Sequence, residues 1–274
     1  VCSVVNMEIQ KKITTRYFRQ KKEKGEKILA LTAYDAPTAK FAEECGIELL
    51  LVGDSLGMAI LGYKSTIPVT IEQSLHHCAA VARGAKFAFI VGDMPFMTYH
   101  PSIKTAMTNA ARYIQEAGVD GVKLEGGKVI SKTISKLTGA GVPVMSHIGL
   151  LPQSILTQGG YRIAGKTKDD EQRLIDDAKA VEDAGAFCIV LECMPTELAA
   201  RITASVKIPT IGIGAGPKCD GQIQVVNDIL GLFTDFVPKH AKRYANLSEE
   251  MKKAFSAYAE EVKTGKFPGK DNSF

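Results

Sequence analysis

Eight short apolar runs alternate with longer amphipathic stretches along 274 residues, and no Pro/Gly/Ser-rich linker divides them. Together these features predict an α/β chain closed as a single-domain (β/α)8 barrel, the TIM barrel. The runs are near-continuous in aliphatic residues and do not alternate with polar ones. That pattern marks parallel strands covered on both faces.

Residues before Ile28 (about 1–27) read as an N-terminal extension packed on the barrel. The first three strands are "ILALTA" from Ile28, "ELLLVG" from Glu48 and "FAFIVG" from Phe87. "GVKLEG" from Gly121, "VPVMSHI" from Val142 and "FCIVLE" from Phe187 follow. "PTIGIGA" from Pro209 and "DFVPKH" from Asp235 complete the set. Residues 101–117 predict a helix, with Ile103, Ala106, Ala110, Tyr113, Ile114 and Ala117 on one face. Residues 168–184 predict another, striped by Leu174, Ile175, Ala178 and Val181. Glycines in "EAGVDG", "GAGVPV" and "DAGAFC" stand where a helix needs a left-handed cap before the next strand. Residues of about 248–265 form a last amphipathic helix, with Met251, Phe255, Tyr258, Ala259 and Val262 as its apolar side.

Thirty-four basic and thirty acidic side chains leave a net charge of +4, too balanced for nucleic acid or a membrane surface as the main partner. No run is long enough to span a bilayer, and the N-terminal residues lack the pattern of a secretory signal. The six cysteines show no CxxC pairing, which fits free thiols in a reducing compartment. The expectation is a cytoplasmic protein.

Four of the apolar runs end on an acid: Asp54 in "LVGDSLG", Asp93 in "FIVGDMPF", Glu125 in "GVKLEGG" and Glu192 in "CIVLECMP". In a (β/α)8 barrel, strand C-termini surround one mouth, where the chemistry sits. A carboxylate leaving a core is costly unless paired, hydrogen-bonded or metal-bound. Asp54, Asp93 and Glu125 come from consecutive strands, and a hard divalent cation such as Mg2+ would compensate their mutual repulsion. Each could instead cap the following helix. Glu192, poorly solvated, suits a general base, or else a cap or a partner for Lys123. Lys123 shares the side of its strand with Glu125 and suits a substrate carboxylate or a Schiff base. His147 could position a substrate oxygen. "GIGAGPKCDG" has the character of a barrel anion site or of a tight turn, and the loop "DSLGMAILGYKSTIPVT" that of a lid. His76, His77 and Cys78 in "HHC" read as structural.

From about Lys27 to "FPG" the chain resembles the ketopantoate hydroxymethyltransferase family. The resemblance lies in "LTAYDAPTAK", "LLVGDSLGM", "LGYKSTIPVT", "GDMPFMTY", "VKLEGG", "HIGLLPQS", "GGYRIAGK", "LECMP", "IPTIGIGAGPKCDGQ" and "KRYANL", in that order. It implies a barrel enzyme of pantothenate biosynthesis. Such an enzyme transfers a hydroxymethyl group from 5,10-methylenetetrahydrofolate to 3-methyl-2-oxobutanoate, giving 2-dehydropantoate with Mg2+ as the metal. By motif, Asp54, Asp93 and Glu125 match the metal positions. Asp54, Ser55, Asp93 and Lys123 match ketoacid contacts, Glu192 the catalytic base and His147 a site-lining histidine. A homo-oligomer, a decamer of two stacked rings, is also implied.

Lys64 in "LGYKST" stands where the resemblance leads one to expect an acid, and Leu151 in "GLLPQS" where it leads one to expect threonine. Three rival readings fit part of the pattern. One is a Mg2+-dependent barrel of the isocitrate lyase and phosphoenolpyruvate mutase type, although its "KKCGH"-type signature is missing. The others are a Schiff-base aldolase using Lys123 and a non-catalytic barrel serving as a binding module or scaffold.

Overall fold

The structure, a computed structural model, describes residues 11–234 and 238–274 (Gln158 by its backbone only). Eight parallel strands close a barrel in sequence order, β1 to β8. They are β1 (Ile28–Thr32), β2 (Leu49–Val52), β3 (Phe89–Asp93), β4 (Gly121–Glu125), β5 (Val144–Gly149), β6 (Cys188–Glu192), β7 (Thr210–Ile213) and β8 (Gly221–Gln222). Among them lie α1 (Thr15–Lys24), α2 (Ala36–Glu44), α3 (Leu56–Ala59), α4 (Ile71–Gly84) and α5 (Ile103–Gln115). Then come α6 (Ser131–Gly139), α7 (Ile155–Gln158), α8 (Lys168–Asp183) and α9 (Thr196–Ser205). Among the described residues this compact unit runs from Lys11 to Gln224.

Seven strands fall where the apolar runs place them. The eighth does not, and the assignment to "DFVPKH" is corrected. Residues 235–237 lie outside the described residues, and Pro238–His240 form no strand. Gly221 and Gln222 close the barrel instead, pairing with β7 on one side and β1 on the other. A side chain at Gly221 would put its Cβ 2.6 Å from the Ile28 carbonyl oxygen, so closure at this seam requires glycine.

Local chemistry starts and stops the helices as read. Asp35 caps α2 through the Thr38 amide (2.8 Å), Ser102 caps α5 through Thr105 (3.0 Å), and Thr70 with Gln73 forms a capping box on α4. The helix-ending glycines Gly118, Gly141 and Gly185 all take positive φ. In "HHC", His77 Nδ1 is 2.7 Å from the Tyr34 carbonyl oxygen and Cys78 is buried, which is the structural role expected.

The extension packs on the N-terminal end of the barrel. Phe18 of α1 is buried and meets Phe89 edge-on (5.6 Å between ring centres) and Phe187 stacked (6.1 Å). It joins a cluster of inward residues that includes Leu49, Leu51, Val91, Met145, Val190 and Ile211. Buried charges fix the same helix. Glu48 accepts from Tyr17 Oη (2.6 Å), Lys21 and the Leu29 amide, while Lys22 donates to Asp220 (2.8 Å) and the Thr203 and Ile208 carbonyls. This end of the barrel therefore serves stability and leaves the other free for chemistry.

A second compact unit spans Val225–Phe274. It contains α10 (Val226–Ile229) and α11 (Leu247–Lys263), joined by backbone bonds from Tyr244 to Ile229 and from Leu247 to Leu230. On α11, Met251, Phe255, Tyr258 and Val262 are exposed, and Tyr258 meets Phe267 edge-on.

Emptying the plug at Phe18 leaves a void under three aromatic neighbours. Phe18→Ala is expected to cost about 3–5 kcal/mol in urea unfolding of the full chain. A loss below about 1 kcal/mol would mean that α1 does not plug the barrel.

Candidate active site

β3, β4 and β6 end on Asp93, Glu125 and Glu192, Asp54 follows β2 by two residues, and β5 carries His147. Parallel register sets Asp93 beside Lys123, Glu125 beside His147, and Gly149 beside Glu192. The acids therefore share the C-terminal end of one wall. Gly149 (φ 105°) is where β6 comes closest, since a Cβ there would lie 2.2 Å from the Glu192 carbonyl oxygen.

Side-chain contacts tie these residues into one buried network. Lys123 Nζ donates to both oxygens of Asp93 (2.8 and 2.9 Å) and lies 3.6 Å from Glu125 Oε1. The Asp54 amide donates to Asp93 Oδ2 (3.1 Å). His147 stands between two acids, with Nδ1 3.6 Å from Glu125 Oε1 and Nε2 3.2 Å from Glu192 Oε2. Neither ring nitrogen makes a well-aligned hydrogen bond, yet both acids stand close enough to favour the protonated ring. Ser55 Oγ is 2.8 Å from Tyr34 Oη.

The electrostatics follow from burial and proximity. Burial first, and then the charge of Asp93, push the Asp54 carboxyl well up. Burial also raises Asp93, against the pull of Lys123. On Glu125 burial is again the largest influence, but Lys123 and His147 together hold this acid below its ordinary value. Burial opposes the charge on Lys123, yet Asp93, Glu125 and Asp54 outweigh it and raise the amine. Burial and then the Lys123 charge work against protonating His147. Glu125 and Glu192 prevail and bring it up to about 9.

Three buried carboxylates thus face one ammonium, and Glu125 Oε1 has no hydrogen-bond partner. An orphaned oxygen, and an Asp54 carboxyl whose charged form burial disfavours, are what a hard cation would satisfy. An all-oxygen donor set fits Mg2+. Among the described residues no three His, Cys, Asp or Glu side chains stand as a ready metal cage, and both oxygens of Asp93 accept from Lys123. A cation here would take an incomplete protein shell and fill the rest with water and substrate oxygens.

The ketopantoate hydroxymethyltransferase family model matches residues 12–270. The chain belongs to that family. A 3-methyl-2-oxobutanoate hydroxymethyltransferase from Syntrophus aciditrophicus (strain SB) is 54% identical over 264 residues, spanning 96% of this chain and 97% of the relative. One from Dehalococcoides mccartyi (strain CBDB1) is 55% identical, spanning 95% and 94%. Among solved structures, a phosphonopyruvate hydrolase aligns with a TM-score of 0.60 at 14% identity over 94% of this chain and 92% of its own. An oxaloacetate acetylhydrolase aligns with 0.56 at 16%, over 76% and 78%. At such identity the likeness is one of fold.

In this ketopantoate hydroxymethyltransferase family member, the sequence reading brings together Asp54, Asp93, Lys123, Glu125, His147 and Glu192 and omits Tyr99 and Gln153. Both are buried among the acids. Both lie within quoted family blocks, "GDMPFMTY" and "HIGLLPQS", and that is the signal that could have found them. The loop after β2 contains α3 and buries Leu56, and Tyr161 Oη lies 3.9 Å from Met58 Sδ across two loops. The glycine-rich stretch after β7 leads into β8, where Gln222 Nε2 donates to the Gly216 carbonyl (2.9 Å).

The His147 ring of metal-free protein is expected to titrate near pH 9 by proton NMR, with the signal assigned by its loss in His147→Gln. Its folded pKa exceeds the ordinary 6.5. The stability it contributes is therefore full below about pH 6.5 and lost as pH rises through about 9. A midpoint at or below 6.5 would contradict the pairing with Glu125 and Glu192.

Proposed function

We propose that this chain transfers a hydroxymethyl group from 5,10-methylenetetrahydrofolate to 3-methyl-2-oxobutanoate, giving 2-dehydropantoate for pantothenate biosynthesis. The observation that carries the reading is the buried Asp54–Asp93–Lys123–Glu125 network beside a separate acid, Glu192, in a chain of this family.

Asp54, Asp93 and Glu125 would hold Mg2+, which when bound supplies Lewis-acid stabilisation to charge developing on the substrate ketone oxygen. Lys123, Ser55 and the aspartates hold the ketoacid and fix the geometry of its reacting carbon. Glu192, outside the Lys123 network and partly exposed, removes the C3 proton. His147 lines the site, its charge facing Glu192. Water adds its oxygen to the one-carbon unit as both of that carbon's bonds to folate nitrogens break, and the freed tetrahydrofolate takes up the protons. The carbanionic C3 then attacks the resulting formaldehyde-level carbonyl, whose oxygen takes back the proton held by Glu192 and becomes the hydroxyl. Lys123 does not suit Schiff-base chemistry, since its raised pKa keeps the amine protonated.

The enzyme works in the cytoplasm as a homo-oligomer, a decamer by resemblance. Free thiols at Cys45, Cys78, Cys188 and Cys219 favour the compartment, and the exposed apolar side of α11 favours assembly of copies. No helix among the described residues is long and apolar enough to cross a membrane.

With both substrates and Mg2+ present, wild-type protein should form 2-dehydropantoate, followed by chromatography. Glu192→Gln should lower turnover by roughly 10²–10⁴-fold. Binding of 3-methyl-2-oxobutanoate, measured by calorimetry, should persist in that variant. Unchanged turnover would remove Glu192 from the role of base, and no product from wild type would sink the whole reading.

A further inference from the structure

We propose that Gln153, locked by Tyr99, is a positioning residue that sets the rotamers of Asp54 and Glu125 and so preorganises the cation site. The inference rests on the reading of these acids as a Mg2+ site and assigns a role to two residues that touch no reacting atom.

Gln153 uses every amide atom it has. Its Nε2 donates to Asp54 Oδ2 (2.9 Å) and to the Met94 carbonyl (3.0 Å), and its Oε1 accepts from Tyr99 Oη (2.9 Å). Its backbone amide donates to Glu125 Oε2 (3.0 Å). Two acceptors flank the nitrogen, which fixes the amide's orientation, and the Tyr99 hydroxyl faces the oxygen, with the Glu125 carbonyl as its second acceptor at 3.2 Å. Tyr99 closes the circuit by accepting from the Glu125 amide (3.1 Å).

The effect is to occupy one oxygen of each acid. Asp54 Oδ2 and Glu125 Oε2 are held by Gln153, whereas Glu125 Oε1 is left without a hydrogen-bond partner. A loop residue on the stretch Pro152–Ser154 thereby holds together side chains from the ends of two strands, 99 positions and 28 positions away in sequence. Carboxylate ligands aimed before the ion arrives bind it more tightly than ligands that must first be ordered, and losing such outer partners typically weakens metal binding about 10–100-fold.

The test titrates Mg2+ into the full metal-free chain by calorimetry, with circular dichroism and urea unfolding run on the same samples. Gln153→Met keeps length and apolar packing, removes both side-chain donor bonds and leaves the backbone bond to Glu125, so it reads the hold on Asp54. It should weaken Mg2+ by about 10–100-fold in a chain that is still folded. Tyr99→Phe removes one hydroxyl and should weaken Mg2+ several-fold, which decides the matter if Gln153→Met does not fold. A purely structural role would lower the unfolding midpoint and leave Mg2+ affinity unchanged, and that result overturns the proposal. If wild type binds no Mg2+, the cation reading fails first and the inference falls with it. Binding to wild type with both variants unaffected refutes the positioning role alone.

Discussion

The ion pair between Lys123 and Asp93 is the contact on which the barrel mouth depends. Three carboxylates cannot sit together out of water on their own, because each loses hydration and repels the next. One ammonium, bonded to both oxygens of Asp93 and 3.6 Å from Glu125, offsets part of that cost. It does so only because β3 and β4 set Asp93 and Lys123 side by side. The compensation is incomplete.

The two ends of the barrel divide the work. At the N-terminal end, Phe18 fills the opening, and Glu48 and Asp220 are bonded to lysines of α1. At the C-terminal end, polar groups that a purely structural core would avoid are gathered and partly unsatisfied. Stability built at one end tolerates the electrostatic strain kept at the other. Gly149 and Gly221 mark two of the close approaches in this arrangement. One lets β6 bring Glu192 against β5, and the other lets a two-residue strand seal the barrel.

Seven strands were legible because each is covered on both faces and must therefore be apolar throughout. β8 was not, because a two-residue strand built of Gly and Gln carries no such run. The acids were legible as strand-end carboxylates, three of them on consecutive strands, and the roles proposed for them rest on that spacing together with the family blocks. Gln153 and Tyr99 lie on loops, and periodicity says nothing of loops. Only the folded chain brings them against Asp54 and Glu125.

The central claim is that a buried acid cluster, completed by a cation, enolises a 2-oxoacid with Glu192 as base. Hydrogen–deuterium exchange at C3 of 3-methyl-2-oxobutanoate, followed by proton NMR in the absence of folate, tests it most directly. The account predicts exchange that requires both the protein and Mg2+ and that disappears in Glu192→Gln. No exchange with wild-type protein and Mg2+ present, or exchange indifferent to Mg2+ and to Glu192, would contradict it.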